Sequence, residues 1–192
     1  MDGKYPDSYL EREGANAPKI EPGDMEIIGS PVDFVGVNIY RPKYVRADGS
    51  PQGYAIEPVQ AGYPFLVLPG NFIGPEITYW AVRNVFDLWK PSAIYITENG
   101  CAAHDVITPA GRIEDTERVM YLRNHITHLH RATTEGYPVK GYFIWSLLDN
   151  FEWAEGFSAQ FGLYYVDYKT LKRTPKLSAE WFREVTARNA VV

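Results

Sequence analysis

The chain has 192 residues, 45% hydrophobic and 22% charged, with a formal net charge of −5, the make-up of a folded domain or of part of one. No basic stripe marks it for nucleic acid, and no run of about 20 apolar residues marks it for a membrane. A single cysteine, Cys101, excludes an internal disulfide and suits a reducing compartment; with no apolar run behind Met1, a cytoplasmic location is expected, a signal further upstream being left open.

Residues 1–31 are rich in Pro, Gly and charge, and predict a helical turn at Tyr9–Glu13 and a short helix at Asp24–Ile28. "VDFVGVNIY", 32–40, is apolar and β-branched and predicts a buried strand. A glycine- and proline-rich stretch over 41–75 predicts one long loop, functional or mobile, with "ADGSPQGYAIEP" as a rim. "PEITYWAVRNVFDLWK", 75–90, predicts a helix with Pro75 in its first position. Its apolar stripe is Ile77, Trp80, Ala81, Val85, Leu88 and Trp89, so Trp80 and Trp89, like Trp181 further on, are expected in packing.

"AIYITENG", 93–100, is a buried strand that ends on Glu98, followed by the turn pair Asn99-Gly100. A helix is expected over 115–135, capped by Asp115 and packed through Val119, Leu122, Ile126 and Leu129. A third strand follows over about 139–148, then a short extended segment at 162–168. A closing helix spans 178–189, with Ser178 as its cap. Apolar strands that alternate with helices indicate a parallel sheet covered on at least one face. In such folds chemistry gathers at the carboxyl ends of the strands. Tyr40, Glu98 and the segment Asp149–Trp153 fall there.

Glu98 on spacing alone is equally a structural carboxylate or a reacting one, and Glu152, inside "WSLLDNFEW", equally a partner for a basic side chain. Two carboxylates at strand ends among Trp and Tyr suit glycoside chemistry, in which one carboxylate attacks and another protonates the leaving oxygen. The 14 Tyr, 9 Phe and 5 Trp either fill a core or stack on sugar rings. His125, His128 and His130 do not converge as metal ligands, because His130 points away from the other two; a solvated helix face is expected. Cys101 is expected to be an inert thiol.

"YITENG" together with "GYFIWSLLDNFEWAEGFSAQFGLYYVDY", and then "VDFVGVNIY" and "LKRTPKLSAEWFREV", resembles the family 1 glycoside hydrolases, the β-glucosidase and β-galactosidase family. The resemblance runs from about Tyr5 to the closing helix. It implies an α/β fold, the C-terminal part of a (β/α)8 TIM barrel with about strands six to eight and their helices. Residues 1–192 would then be the C-terminal segment of one catalytic domain whose N-terminal half lies outside this chain. The resemblance implies that Glu98 is the nucleophile of a retaining mechanism and that Tyr40 steadies it. It places Trp145 against the sugar, gives Glu152 two sugar hydroxyls to hold, makes Trp153 a ring N–H donor, and has Phe161 close the pocket.

No cofactor is implied. The implied partners are a β-glucoside or short oligosaccharide and the N-terminal half of the barrel, with a homo-oligomer open. Glu152 would repel a phosphate, which favours unphosphorylated sugars. The family's general acid/base lies in an "NEP" motif that this sequence does not contain, so an inactive fragment, or a carbohydrate-binding or assembly subunit, is the alternative. The chain departs from the family's usual pattern at Ile39, at Phe157 and Gln160, and at Asn71 and Phe72, where many members carry Trp.

Overall fold

The computed structural model describes residues 3–58, 66–68 and 72–192. Asn71 lies outside these. The chain opens with two short helices, α1 (Asp7–Glu13) and α2 (Asp24–Ile28). Three strands then form the central sheet: β1 (Val35–Asn38), β4 (Ile94–Asn99) and β5 (Val139–Ile144). They run parallel in the order β1-β4-β5, as the strand–helix alternation predicts. The crossovers are α3 (Ile77–Trp89) and α4 (Thr116–Thr134), and α5 (Leu177–Arg188) closes the chain.

Two antiparallel hairpins complete the fold. β2 (Val45–Ala47) pairs with β3 (Tyr54–Ile56), and β6 (Tyr164–Val166) with β7 (Arg173–Pro175). The first lies within the stretch expected to be one long loop. Its strands are three residues each and mostly exposed, too short for period-2 patterning to register.

One face of the sheet is covered. Ile39, Ile94 and Ile96 pack against Tyr79, Val82, Leu129 and Ala132 of α3 and α4, and each fully buried aliphatic side chain there contributes about 2 kcal/mol. On the other face Phe34 and Phe143 are half exposed, and Phe34 meets Tyr95 edge-on at 5.2 Å between ring centroids. The sheet therefore has one helical layer and one bare side.

α3 keeps Ile77, Ala81 and Val85 of its apolar stripe against the core and turns the rest of the stripe outward. It buries Thr78, Tyr79 and Val82, while Trp80, Leu88 and Trp89 stay exposed. Thr78 Oγ1 donates to the carbonyl of His125 at 2.8 Å, which draws a polar residue into the contact between α3 and α4. The helix begins at Ile77, two residues beyond Pro75. Asp115 precedes α4 but makes no cap bond to it. Its carboxylate instead accepts from Ser178 N and Oγ, at 2.9 and 2.5 Å, and so covers the first turn of α5. Ser178 is thus the second residue of that helix and not its cap.

His125 is fully buried, contrary to the expected solvated face. It stacks on Tyr121 at 3.8 Å and its Nδ1–H donates to the Tyr121 carbonyl at 2.8 Å. No group of metal-ligating side chains occurs among the described residues, and no helix there is long and apolar enough to cross a membrane.

Candidate active site

The carboxyl ends of β1, β4 and β5 open into one pocket of about 510 Å³. Five of the six residues singled out in the sequence line it: Tyr40, Glu98, Trp145, Glu152 and Trp153. Asn38, Asn150 and Phe151 complete the lining. Phe161 does not reach the pocket. It is buried behind it, in a cluster with Ala102 and Ala159 against which Tyr40 and Trp145 pack.

Glu98 reaches the rim because β4 runs apolar through Ile94 and Ile96 and turns polar at its last residues. The Tyr40 hydroxyl donates to Glu98 Oε2 at 2.5 Å. Burial, then the hydrogen bond to this carboxylate and its charge, hold the Tyr40 phenol well above its usual pKa. Tyr40 therefore remains a donor to Glu98 at any ordinary pH.

Asn99 lies directly beneath. It reads in sequence as the first half of a turn, yet it is the last residue of β4 and has no exposed surface. Its Nδ2 donates to the carbonyl of Ile39 at 2.7 Å and to the Tyr121 hydroxyl at 3.1 Å; its Oδ1 accepts from the Tyr142 hydroxyl at 2.6 Å. Tyr121 in turn donates to the carbonyl of Tyr40 at 3.0 Å. One amide thus ties β1, β5 and α4 to the strand end that carries Glu98. Gly100 follows for a steric reason: a Cβ there would lie 1.8 Å from the carbonyl oxygen of Trp145.

The opposite wall is a loop. Trp145 Nε1 donates to Glu152 Oε2 at 3.1 Å, and Asn150 Nδ2 donates to the same oxygen at 3.2 Å. Asn150 is itself fixed by Ser146, whose hydroxyl lies 2.9 Å from its Oδ1. Trp153 projects from this loop, 85% exposed, on a backbone with φ of +44°. The peptide bond between Trp145 and Ser146 is cis. The sequence marks Asn99 only as half of a turn pair and Asn150 only as part of the strand-end segment Asp149–Trp153, with no role for either. Their signal is position: Asn99 directly follows Glu98 and Asn150 stands two residues before Glu152.

Cys101 is buried, and its thiol is pushed up to about 12 by that burial. It is an inert thiol, in accord with the expectation.

Comparison with known proteins bears on the whole chain. A family model described as glycosyl hydrolase family 1 matches residues 1–191. A 1,4-β-D-glucan glucohydrolase from Thermotoga neapolitana is 42% identical over 193 residues, covering 98% of this chain and 42% of the relative. The structure of a family 1 β-glucosidase from Thermotoga maritima superposes with a TM-score of 0.86 at 42% identity, over 99% of this chain and 42% of that one. The same enzyme in complex with deoxynojirimycin matches equally. The chain spans about two fifths of the length of these relatives, so its sheet corresponds to part of their barrel.

Proposed function

The chain belongs to glycosyl hydrolase family 1, and from that premise we propose that it supplies the nucleophile and one sugar-binding wall of a retaining β-glycosidase. The substrates would be unphosphorylated β-glucosides or short oligosaccharides. The observation that carries this is the facing of two walls across one pocket: Glu98 held by Tyr40 on the strand side, Glu152 with Trp145 and Trp153 on the loop side.

Glu98 is bound by Tyr40 through Oε2, which leaves Oε1 to attack the anomeric carbon. The bond from that carbon to the leaving oxygen breaks as the glycosyl–Glu98 ester forms, and water later hydrolyses the ester. Glu152 accepts from sugar hydroxyls, and Trp153 stacks on the ring or donates from its N–H. Glu152 is poorly placed to be the acid, because one of its oxygens already accepts two hydrogen bonds from the loop. The proton for the leaving group, and its return from water, are assigned to a residue outside this chain. So is the rest of the barrel, which would cover the bare sheet face with its exposed Phe34 and Phe143. That uncovered face supports the reading of residues 1–192 as one segment of a larger domain that works only with its other half, supplied by a longer chain, a partner or a second copy.

The test is intact-mass analysis after incubation with an activated 2-deoxy-2-fluoro-β-glucoside. The fluorine slows both steps, and the good leaving group dispenses with the acid. One adduct per protein, mapping to Glu98 in the presence of the remaining barrel, is expected. Labelling elsewhere, or none with the barrel complete, overturns the assignment.

A further inference from the structure

Five charged side chains lie with no exposure beneath the pocket: Asp105, Asp115, Arg118, Asp149 and Lys176. Burying them costs several kcal/mol per ion before pairing, and well-packed apolar residues would generally serve stability as well. Their contacts, however, follow the architecture of the site. Asp149 stands at the start of the loop that carries Asn150, Glu152 and Trp153. Its Oδ1 accepts from Gly162 N at 2.9 Å and its Oδ2 from Val166 N at 3.3 Å, with Gln160 Nε2 at 3.4 Å from Oδ2. This carboxylate closes the neck of the loop together with three backbone bonds, from Leu163, Tyr164 and Asp149 N to the carbonyls of Ser146, Leu147 and Tyr164. A Cβ at Gly162 would lie 2.2 Å from Asp149 N, so the two strands of the neck touch.

Lys176, at the entry to α5, joins this neck to the other wall. Its Nζ lies 2.7 Å from Asp149 Oδ1 and 2.5 Å from Asp105 Oδ2. Asp105 belongs to the segment that leaves Glu98, and Arg118 holds it in a fork at 3.1 and 3.0 Å. Arg118 also donates to the carbonyls of Cys101 at 3.2 Å and Gln160 at 2.7 Å. The segment after Glu98 and the loop bearing Glu152 are thus fastened to each other through buried charge.

We infer that Lys176 is a positioning residue: with Asp149 it sets the sugar-binding loop at a fixed place relative to Glu98. This rests on the glycosidase reading above for its functional consequence, though not for its structural one. Lys176 touches no part of the pocket, so its loss should weaken sugar binding and leave the attack by Glu98 intact.

The test is the double substitution Lys176→Met with Asp149→Asn, which removes one charge of each sign, beside Asp115→Asn. Asp115→Asn disturbs the same cluster where it meets α5 and not where it meets the loop. With the barrel complete, the inactivation constant Ki for the fluoroglucoside should rise about tenfold in the double variant, while the rate at saturation stays within about twofold. Asp115→Asn should leave Ki unchanged. An unchanged Ki in the double variant overturns the proposal, and so does an equal rise in Asp115→Asn. Hydrogen exchange with the barrel complete gives a second arm: the amides of Gly162 and Val166 should exchange at least about tenfold faster in the double variant, with β4 unmoved. Should wild-type protein fail to be labelled, the glycosidase reading falls alone, and the exchange arm decides: neck amides that do not change overturn the bridge.

Discussion

The two walls of the pocket are held by different physics. The strand wall, Tyr40 and Glu98, stands on neutral hydrogen bonds: Asn99 joins Ile39, Tyr121 and Tyr142, and no ion takes part in those three bonds. The loop wall, Glu152 and Trp153, rests at its base on buried ions, Lys176 with Asp105 and Asp149. Parallel strands already fix a residue at their ends through the ladder, so a single amide is enough to register it. The loop's neck has only a short run of backbone bonds, from Leu163, Tyr164 and Asp149 N to the carbonyls of Ser146, Leu147 and Tyr164. Charge-assisted bonds, roughly twice as strong as neutral ones, add to it.

The largest effect expected on this contrast is at Glu98. Glu98→Gln keeps the shape and the Tyr40 contact but removes the attacking charge. On the glycosidase reading, turnover of a β-glucoside by the complete barrel should fall roughly 10⁵-fold, with affinity for the neutral sugar retained within about tenfold. A loss of binding as large as the loss of rate would show the two walls not to divide their tasks. Next in size is Asn99→Ala, which strands the Ile39 carbonyl and the Tyr142 hydroxyl without their partner in a buried place. Each orphaned group costs about 1–3 kcal/mol, so a destabilisation of about 4 kcal/mol is expected in urea unfolding. A change under about 1 kcal/mol would mean that the strand ladder alone registers Glu98.

The strand wall should also be sensitive to acid through His125, which stacks on the Tyr121 that bonds Asn99 and Tyr40. Burial lowers its pKa to about 4 from an ordinary 6.5, with the nearby charge of His128 acting the same way and the bond to Tyr121 and Glu76 opposing. The folded state thus takes up a proton less readily than the unfolded one. Stability is complete above the unfolded value, falls as pH drops from about 6.5, and the loss is finished near 4. At 1.36 kcal/mol per pH unit the loss reaches about 3 kcal/mol. His125→Phe keeps a ring against Tyr121 and removes the titration. Urea unfolding at pH 7, 5.5 and 4 should therefore show a shallower slope in the variant than in wild type; parallel slopes would remove His125 from the acid response.

These contrasts were unevenly visible in the sequence. The strands could be read because Ile94, Ile96 and Val37 form apolar runs, and Glu98 stood out as the carboxylate closing one of them. Strand-end placement marks Tyr40, Glu152 and Trp153, the resemblance adds Trp145 and supplies the individual roles, and the fold brings all four to one pocket. The buried charges were illegible because Lys, Arg and Asp are surface residues by default. Nothing local distinguishes Lys176 or Arg118, fully enclosed, from the exposed Lys172 or Arg123. The inward face of α3 is only half legible for a related reason: Ile77, Ala81 and Val85 of its apolar stripe pack inward and the rest does not. Its largest apolar residues, Trp80 and Trp89, are half exposed, while Tyr79 and Thr78 are buried because hydrogen-bond partners await them on and after α4. Which face of a helix is buried depends on what is opposite, and that is tertiary information.

The smallest effect expected is also the sharpest, because its two parts have opposite signs. Trp153 holds φ at +44° and is 85% exposed. A bulky residue in the left-handed region costs about 1 kcal/mol that glycine does not, and so exposed a ring returns little by packing. Trp153→Gly should therefore raise stability by up to about 1 kcal/mol while, on the glycosidase reading, weakening binding of a β-glucoside to the complete barrel. The loop wall would then hold strain in order to present a ring to the sugar, with the base below it, Asp149 and Lys176, carrying that strain. If the substitution destabilises the fold, the ring packs against something in the complete barrel, and the loop wall is held from above as well as from beneath.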